Sequence, residues 1–314
     1  MTLNTPIVFL IFRRPDLTQR VWERIRQVRP KTLLVVADGP RDEAEAEKCA
    51  QARAVIAQID WPCDVYKNYA ETNLGCKKRV SSGISWAFSL VEEAIILEDD
   101  CLPVPSFFTF CETLLNHYRQ DERIFIISGN NFQDGKIRSP YSYYFSKYPH
   151  IWGWATWRRA WRYWHDHPDL WTEYKKLDLI SAIHPHPLEQ SHWQGIFDAM
   201  FYHQYPDTWD YIWTFACWSQ GGLSIVPNVN MVSNLGFRED AAHTRNPDHQ
   251  NANLAVADLE QITHPPFVVV DRCADEYTFQ RGFGIKKRPP LHRWRRRLAK
   301  LKDRISRMFI QDTN

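Results

Sequence analysis

No Cys-x-x-Cys pair occurs in this 314-residue chain, and its seven cysteines are an odd number. That argues against a disulfide framework and against a structural zinc site. No apolar run approaches the roughly 18–20 residues that a membrane-spanning helix needs. The single short apolar run near the start, Ile7 to Phe12, has neither a positive leading segment nor a small-residue cleavage site, so no signal peptide is expected. A cytoplasmic location is the expectation from these absences. Glycine is scarce, at 12 residues, and none follows that first run, where Phe12-Arg13-Arg14-Pro15 stands instead of a glycine-rich phosphate loop. Internal repeats and low-complexity segments are absent as well.

What is present is 44% hydrophobic sequence with 14 tryptophans, enough to bury one large core with an appendage. The net charge of +2 hides an asymmetry. Lys286 to Asn314 has 11 Lys and Arg against 2 acids, a local +9, whereas residues 1–285 have 28 against 35, a net −7. Strand and helix patterns alternate through the first hundred residues. Strands are expected at Ile7–Phe12, Thr32–Ala37, Cys63–Tyr69 and Ala94–Leu97, with helices over about 16–28, 41–59 and 77–90. Leu17, Val21, Ile25 and Val28 set the apolar face of the first helix, and Pro30 stops it. This β-α-β-α-β-α-β order predicts an α/β fold with a doubly wound, mostly parallel sheet. A helix from Pro105 through Tyr118 and a strand at Ile124–Ser128 continue it. The pattern then gives way to aromatic-rich sequence, so the expected organisation is 1–130, 131–285 and a basic tail at 286–314.

Ala94-Ile95-Ile96-Leu97 reads as a strand covered on both faces, and it runs straight into Glu98-Asp99-Asp100. Three adjacent carboxylates raise one another's pKa, and a divalent cation relieves the repulsion. Oxygen ligands suit Mg²⁺ or Mn²⁺. In open α/β sheets ligands bind at the carboxyl ends of strands, which is where these acids fall. The alternative is a polar strand end closed by Pro103 and Pro105. Asp38, in Asp38-Gly39-Pro40, ends the second strand on the same edge, as a turn residue or as a ligand contact.

These residues together resemble a GT-A glycosyltransferase. Ile7 through Pro15, the strand ending at Asp38, and Ala94 through Pro105 followed by Phe107-Phe108 are similar to N-acetylglucosaminyltransferase I and to bacterial haemolysin-like sugar transferases. The resemblance spans residues 6–245 and is most specific over 93–110. It implies a nucleotide-binding half, an acceptor-binding half, a nucleoside diphosphate sugar as donor (a UDP-sugar), Mn²⁺ or Mg²⁺, and a hydroxyl of a glycan or glycolipid as acceptor. By the same resemblance Asp100 ligates the metal, Asp99 meets the ribose, and Glu98 meets a metal-bound water or the base. Arg13 would lie over the nucleotide, and Asp38 would accept from the edge of the base. In Asn73-Leu74-Gly75-Cys76-Lys77-Lys78-Arg79 a basic triplet opens a helix, a setting that favours phosphate. Arg79 is the expected diphosphate contact, with a solvated basic face as the alternative.

Trp209-Asp210-Tyr211-Ile212-Trp213 is similar to the family's Trp-Asp-Asp-Trp segment, in which an Asp deprotonates the acceptor. Tyr211 replaces the second Asp, which leaves Asp210 as the expected base, a cap of the helix beginning at Tyr211 as its other reading, and Asp207 in reserve. An acid among aromatics is poorly solvated, which favours a base. His243 lies where such enzymes close a loop over the donor, and is expected at the diphosphate or the metal. The aromatics of 141–164 are expected mostly as core, with Gly153-Trp154 similar to an acceptor-side Gly-Trp of the family. The implied reaction is an inverting displacement, in surface polysaccharide or lipopolysaccharide synthesis.

In the tail, Trp294, Leu298, Leu301, Ile305 and Met308 form one stripe flanked by cations. That suits an anionic membrane surface, hence a peripheral placement. An otherwise acidic body speaks against nucleic acid as a partner. Two rivals stand beside the transferase: a sugar nucleotidyltransferase, and a non-catalytic glycan- or nucleotide-sugar-binding protein on a transferase scaffold.

Overall fold

β1 (Ile7–Ile11) is buried at all five positions, as a strand must be when sheet neighbours flank it and helices cover both faces. The computed structural model describes residues 2–239 and 246–283. The chain divides into two compact units, Met1–Thr278 and Phe279–Asn314, and the whole of the sheet belongs to the first. α1 (Pro15–Val28) starts on Pro15, where a missing N–H costs nothing, and buries Leu17, Val21, Trp22 and Ile25. It ends where Arg29 turns left-handed at φ 46° and donates its N–H to Ile25 O. β2 (Thr32–Ala37) and β3 (Asp64–Tyr69) follow, separated by α2 (Glu43–Ala54). The expected helix over 41–59 is shorter: Asp42 accepts from Glu45 N at 2.9 Å to cap α2, and Val55–Gln58 tightens into a 3₁₀ turn. α3 (Cys76–Leu90) then leads into β4 (Glu93–Glu98).

After the acids come the short β5 (Cys101–Pro103), α4 (Pro105–His117) and β6 (Ile124–Ser128). β7 (Tyr143–Ser146) and β8 (Trp154–Trp157) carry the aromatics. Helices α5 (Arg158–Trp161), α6 (Pro168–Lys176), α7 (Ile180–Ile183), α8 (Pro187–His203) and α9 (Asp210–Ser219) form a helical layer. β9 (Leu223–Pro227), β10 (Val232–Asn234) and α10 (Arg272–Phe283) complete the order.

The main sheet has eight strands in the order β3-β2-β1-β4-β8-β6-β9-β7. β3, β2, β1 and β4 run parallel, β8 enters antiparallel between β4 and β6, and β7 closes the far edge antiparallel to β9. The fold is therefore mixed α/β with a mostly parallel, doubly wound sheet, as the element order predicts. β10 pairs antiparallel with β5, placing Asn234 opposite Cys101 and bringing the later chain back over the acidic turn. The aromatics are chiefly core: Trp154 is buried, with its ring centroid 5.6 Å from Trp209 and 5.7 Å from Trp213. Among the described residues no helix is long and apolar enough to cross a membrane. The basic tail lies outside them.

Candidate active site

β1, β2 and β4 end on one edge of the sheet, and their carboxyl ends open into a cleft of about 760 Å³. That is the size of a small-molecule site. The cleft brings together seven of the eight residues expected from sequence: Arg13, Asp38, Arg79, Glu98, Asp99, Asp100 and Asp210. His243 lies outside the described residues.

Among the described residues Asp99 and Asp100 meet one cation, Arg14. Arg14 donates to Asp100 Oδ2 at 2.9 Å and bridges to Asp99 as well, while Phe12 N lies 3.4 Å from Asp99 Oδ2. Burial opposes the charge on Arg14, yet Asp99 and then Asp100 outweigh it and raise its pKa. Burial pushes the Asp99 carboxyl up while Arg14 pulls it down. Glu98 is different. Loss of solvation, with Asp100 and Asp99 adding like charge, pushes it up to about 8, and among the described residues it has no ion-pair partner. Gly236 lies against this turn, where a Cβ would fall 2.2 Å from Asp100 Oδ2, and Leu235 N donates to Asp100 O at 2.8 Å.

Asp38 is buried and already engaged. Its Oδ1 accepts from Gly39 N at 2.8 Å and Leu74 N at 2.9 Å, and its Oδ2 from Asn73 Nδ2 at 2.9 Å. Asp38 thus serves the turn, as one sequence reading has it, and fixes the loop before α3. Burial raises its pKa against these bonds. Arg13 is drawn to Glu45 of α2 at 2.6 Å, and Glu45 is held down at about 2, chiefly by hydrogen bonds from Arg41. Arg79 is buried and bonds through Nη2 to Asn68 O at 2.5 Å and Asn68 Oδ1 at 2.9 Å, so a solvated basic face is not its role. Among the described residues its buried Nε has no hydrogen-bond partner, and burial lowers its pKa. Lys77, from the same triplet, is paired with Asp166 at 2.6 Å.

Asp210 opens α9, Trp209 is the residue before it, and Thr208 donates its hydroxyl to Asp210 Oδ1. Asp210 thus lies within the helix and does not cap it. Tyr211, which stands where the family has a second Asp, lines the cleft with its hydroxyl pushed up to about 12 by burial and by Asp210. Tyr211 is therefore a neutral donor near neutrality and not a base. Trp152, and not the buried Trp154 beside it, lines the cleft wall, as Trp209 also does.

Sequence reasoning passed over Arg14 and Trp152. Two adjacent arginines at a strand end point to different sides of the chain, and only Pro15 at the start of α1 hints at which one turns toward the acids. Trp152 lies within a run of aromatics, where nothing local separates a core ring from a cleft ring.

No family model matches the chain, and no curated protein matches it. Among solved structures, LgtC, crystallised as an active-site mutant, aligns over 92% of this chain and 99% of its own at 11% identity and a TM-score of 0.38. A 4-diphosphocytidyl-2C-methyl-D-erythritol synthase from Anaerococcus prevotii aligns over 51% of this chain and 74% of its own, at 7% identity and a TM-score of 0.31. For a UDP-glucose pyrophosphorylase complexed with UDP-glucose the values are 46% of this chain, 62% of that one, 11% identity and a TM-score of 0.27. The chain thus spans less than two thirds of that pyrophosphorylase. At such identities and scores the likenesses say nothing about chemistry, which rests on the cleft itself.

Proposed function

We propose that this chain is a divalent-metal-dependent GT-A glycosyltransferase that moves a sugar from a nucleoside diphosphate sugar, a UDP-sugar, to a hydroxyl of a glycan or glycolipid. The observation that carries the reading is one cleft at the strand ends in which Glu98, Asp99 and Asp100 share space with Arg13, Arg14, Arg79 and Asp210. Cations for a diphosphate, acids for a metal and a separate carboxylate for a proton are the parts that glycosyl transfer needs.

Among the described residues no three His, Cys, Asp or Glu side chains are grouped to hold a metal by themselves. The donor set nevertheless fits a hard cation of the kind that takes one or two carboxylates and completes its shell with water and phosphate oxygens. Asp100 and Glu98, both on the cleft, would hold it. When bound, it would neutralise charge on the leaving diphosphate. The chain's own residues do the rest. Arg14, kept charged by Asp99 and Asp100, lies ready for phosphate oxygens, and Arg79 presents a poorly compensated guanidinium to the same cleft. Asp210 takes the proton of the acceptor hydroxyl as its oxygen bonds to the sugar's C1. The bond from C1 to the diphosphate oxygen breaks with its electron pair leaving on the diphosphate. One displacement inverts C1. Positioning two substrates in one cleft and stabilising the leaving charge supply most of the acceleration. A nucleotidyltransferase would require a run of backbone N–H groups for a triphosphate after β1, and Pro15 removes one there. The basic tail makes an anionic membrane the expected neighbour, with a lipid-linked acceptor in surface-glycan synthesis.

The test is a thermal-shift and calorimetric screen of UDP-, GDP-, CMP- and dTDP-sugars with and without Mn²⁺, on the wild type and Asp100→Ala. A donor stabilises the fold in proportion to its occupancy. A Mn²⁺-dependent shift with one nucleotide class, lost in Asp100→Ala, is expected. No shift with any nucleotide would overturn the reading.

A further inference from the structure

The start of α3 is tied to residues more than 80 positions away in sequence. The first N–H groups of a helix have no partner within it and carry partial positive charge. Here two of them are taken: Cys76 N donates to Asp207 Oδ2 at 2.9 Å and Lys77 N to Asp207 Oδ1 at 3.2 Å. Gly75 precedes them at φ +81°, a conformation that favours glycine, and a Cβ there would meet Asp207 Oδ2 at 2.8 Å. The close approach thus depends on the missing side chain. Lys77 adds a second tie, since its Nζ bonds to Asp166 at 2.6 Å and also to Gln204. Asp207 and Gln204 belong to the segment between α8 and α9, and that segment delivers Asp210 three residues later.

We propose that Asp207 is a positioning residue, which caps α3 from the segment joining α8 to α9 and so fixes Asp210 against the acids at the end of β4; this rests on the reading of Asp210 as the base. Cys76, Asp207 and Asp210 all line the same cleft, so the clasp lies beside the reacting groups. It also explains why the N-terminus of α3, with the basic triplet, is not an open phosphate site. Asp207 occupies two of its N–H groups, and Asp166 and Gln204 occupy Lys77. The diphosphate is left to Arg14 and Arg79. Asp207 itself touches no substrate in this scheme. Its contribution is to remove the freedom of a loop whose misplacement by about 1 Å costs on the order of 100-fold in rate.

Three measurements on the wild type, Asp207→Ala and Asp207→Asn test this. The first is amide hydrogen exchange. Asp207→Ala is expected to raise exchange at Cys76, Lys77 and residues 204–210 at least tenfold and to leave β1 and β4 unchanged, with Asp207→Asn intermediate because one acceptor oxygen survives. The second is calorimetry with UDP and Mn²⁺, where the affinity is expected to stay within threefold. The third is release of UDP from UDP-sugars, where kcat is expected to fall at least tenfold in Asp207→Ala and to be partly rescued in Asp207→Asn. Unchanged exchange overturns the clasp, and so does a loss of UDP affinity parallel to the loss of kcat. Should Asp207→Ala fail to fold, Asp207→Asn carries the same three comparisons. A wild type that neither binds UDP nor turns over any UDP-sugar defeats the transferase reading, and the exchange result then judges the clasp alone.

Discussion

Asp210 and Arg14 divide the proposed chemistry between proton transfer and charge neutralisation, and each makes a separable prediction. Asp210→Asn keeps the shape of the side chain and removes its basicity, so turnover of a UDP-sugar should fall by roughly 10²–10⁴-fold. Nucleotide binding should change by no more than about twofold, because Asp210 belongs to a different element from the acids at the end of β4. A parallel loss of both, read by calorimetry and UDP release, would remove Asp210 from the base role. Arg14→Met strips the guanidinium from Asp99 and Asp100, two acids it bridges at once. The acids then repel each other more strongly, so the protein should require Mn²⁺ for nucleotide binding more steeply than the wild type. Equal Mn²⁺ dependence in the two proteins, titrated by calorimetry, would show that Arg14 does not share this charge. At this scale the acids were legible because a buried strand and three carboxylates are adjacent in sequence. Arg14 was not, since the choice between it and Arg13 depends on where α2 puts Glu45.

α3 is held in two places, by the clasp at its start and by close packing in its middle. Gly83 faces β2, where a Cβ would come 2.3 Å from Val36 Cγ1. Alanine favours a helix over glycine by about 1 kcal/mol, but overpacking costs about 1–3 kcal/mol. Val36 is a stiff, β-branched residue in a buried strand and has nowhere to move. Gly83→Ala is therefore expected to destabilise the protein, read as a lower urea midpoint. An unchanged or raised midpoint would mean that α3 shifts off the sheet without cost. The start of α3 was placed within one residue by the sequence pattern, whereas the tightness at Gly83 was invisible, because Val36 is 47 positions away. α2 ran shorter than its pattern at both ends, because Asp42 caps its start and Val55–Gln58 tightens into a 3₁₀ turn at its end.

For the molecule as a whole, a buried polar network under the helical layer sets the response to acid. His184 is fully buried and faces Lys147 at 3.0 Å, Glu189 at 3.1 Å and the rings of Trp193 and Trp218. Burial holds its pKa down at about 4, against 6.5 for the free group, with Lys147 adding to the effect and Glu189 opposing it. As pH falls below 6.5 the unfolded chain takes a proton that the folded chain refuses until about pH 4. Stability from this group therefore declines across that window. Asp275 acts in the opposite sense, since burial pushes it up to about 6 from 3.8, and the folded chain takes that proton first. Glu189, held down at about 2 from 4.5, adds its own loss of stability only once the pH falls below about 4.5. The comparison that isolates His184 is wild type against His184→Gln, in urea unfolding from pH 7 to pH 4. The difference between them should shift against the wild type by at most about 3 kcal/mol as the pH falls. A difference independent of pH would mean that His184 titrates normally.

The alternation of strand and helix, the doubly wound parallel half, the acidic turn after β4 and the position of Asp210 beside tryptophans were all fixed by residues that are neighbours in the chain. Periodicity and local charge need only a few adjacent side chains to express themselves, and these features followed from that. The antiparallel entry of β8 between β4 and β6, the return of β10 over Asp100, the pairing of Arg14 with two acids about 85 positions away and the capping of α3 by Asp207 were decided by tertiary structure alone. Each joins groups distant in sequence, and which of several chemically equal partners meet depends on how helices and strands pack to bury their apolar faces. Sequence therefore supplied the candidate groups, and packing set which of them meet in the cleft.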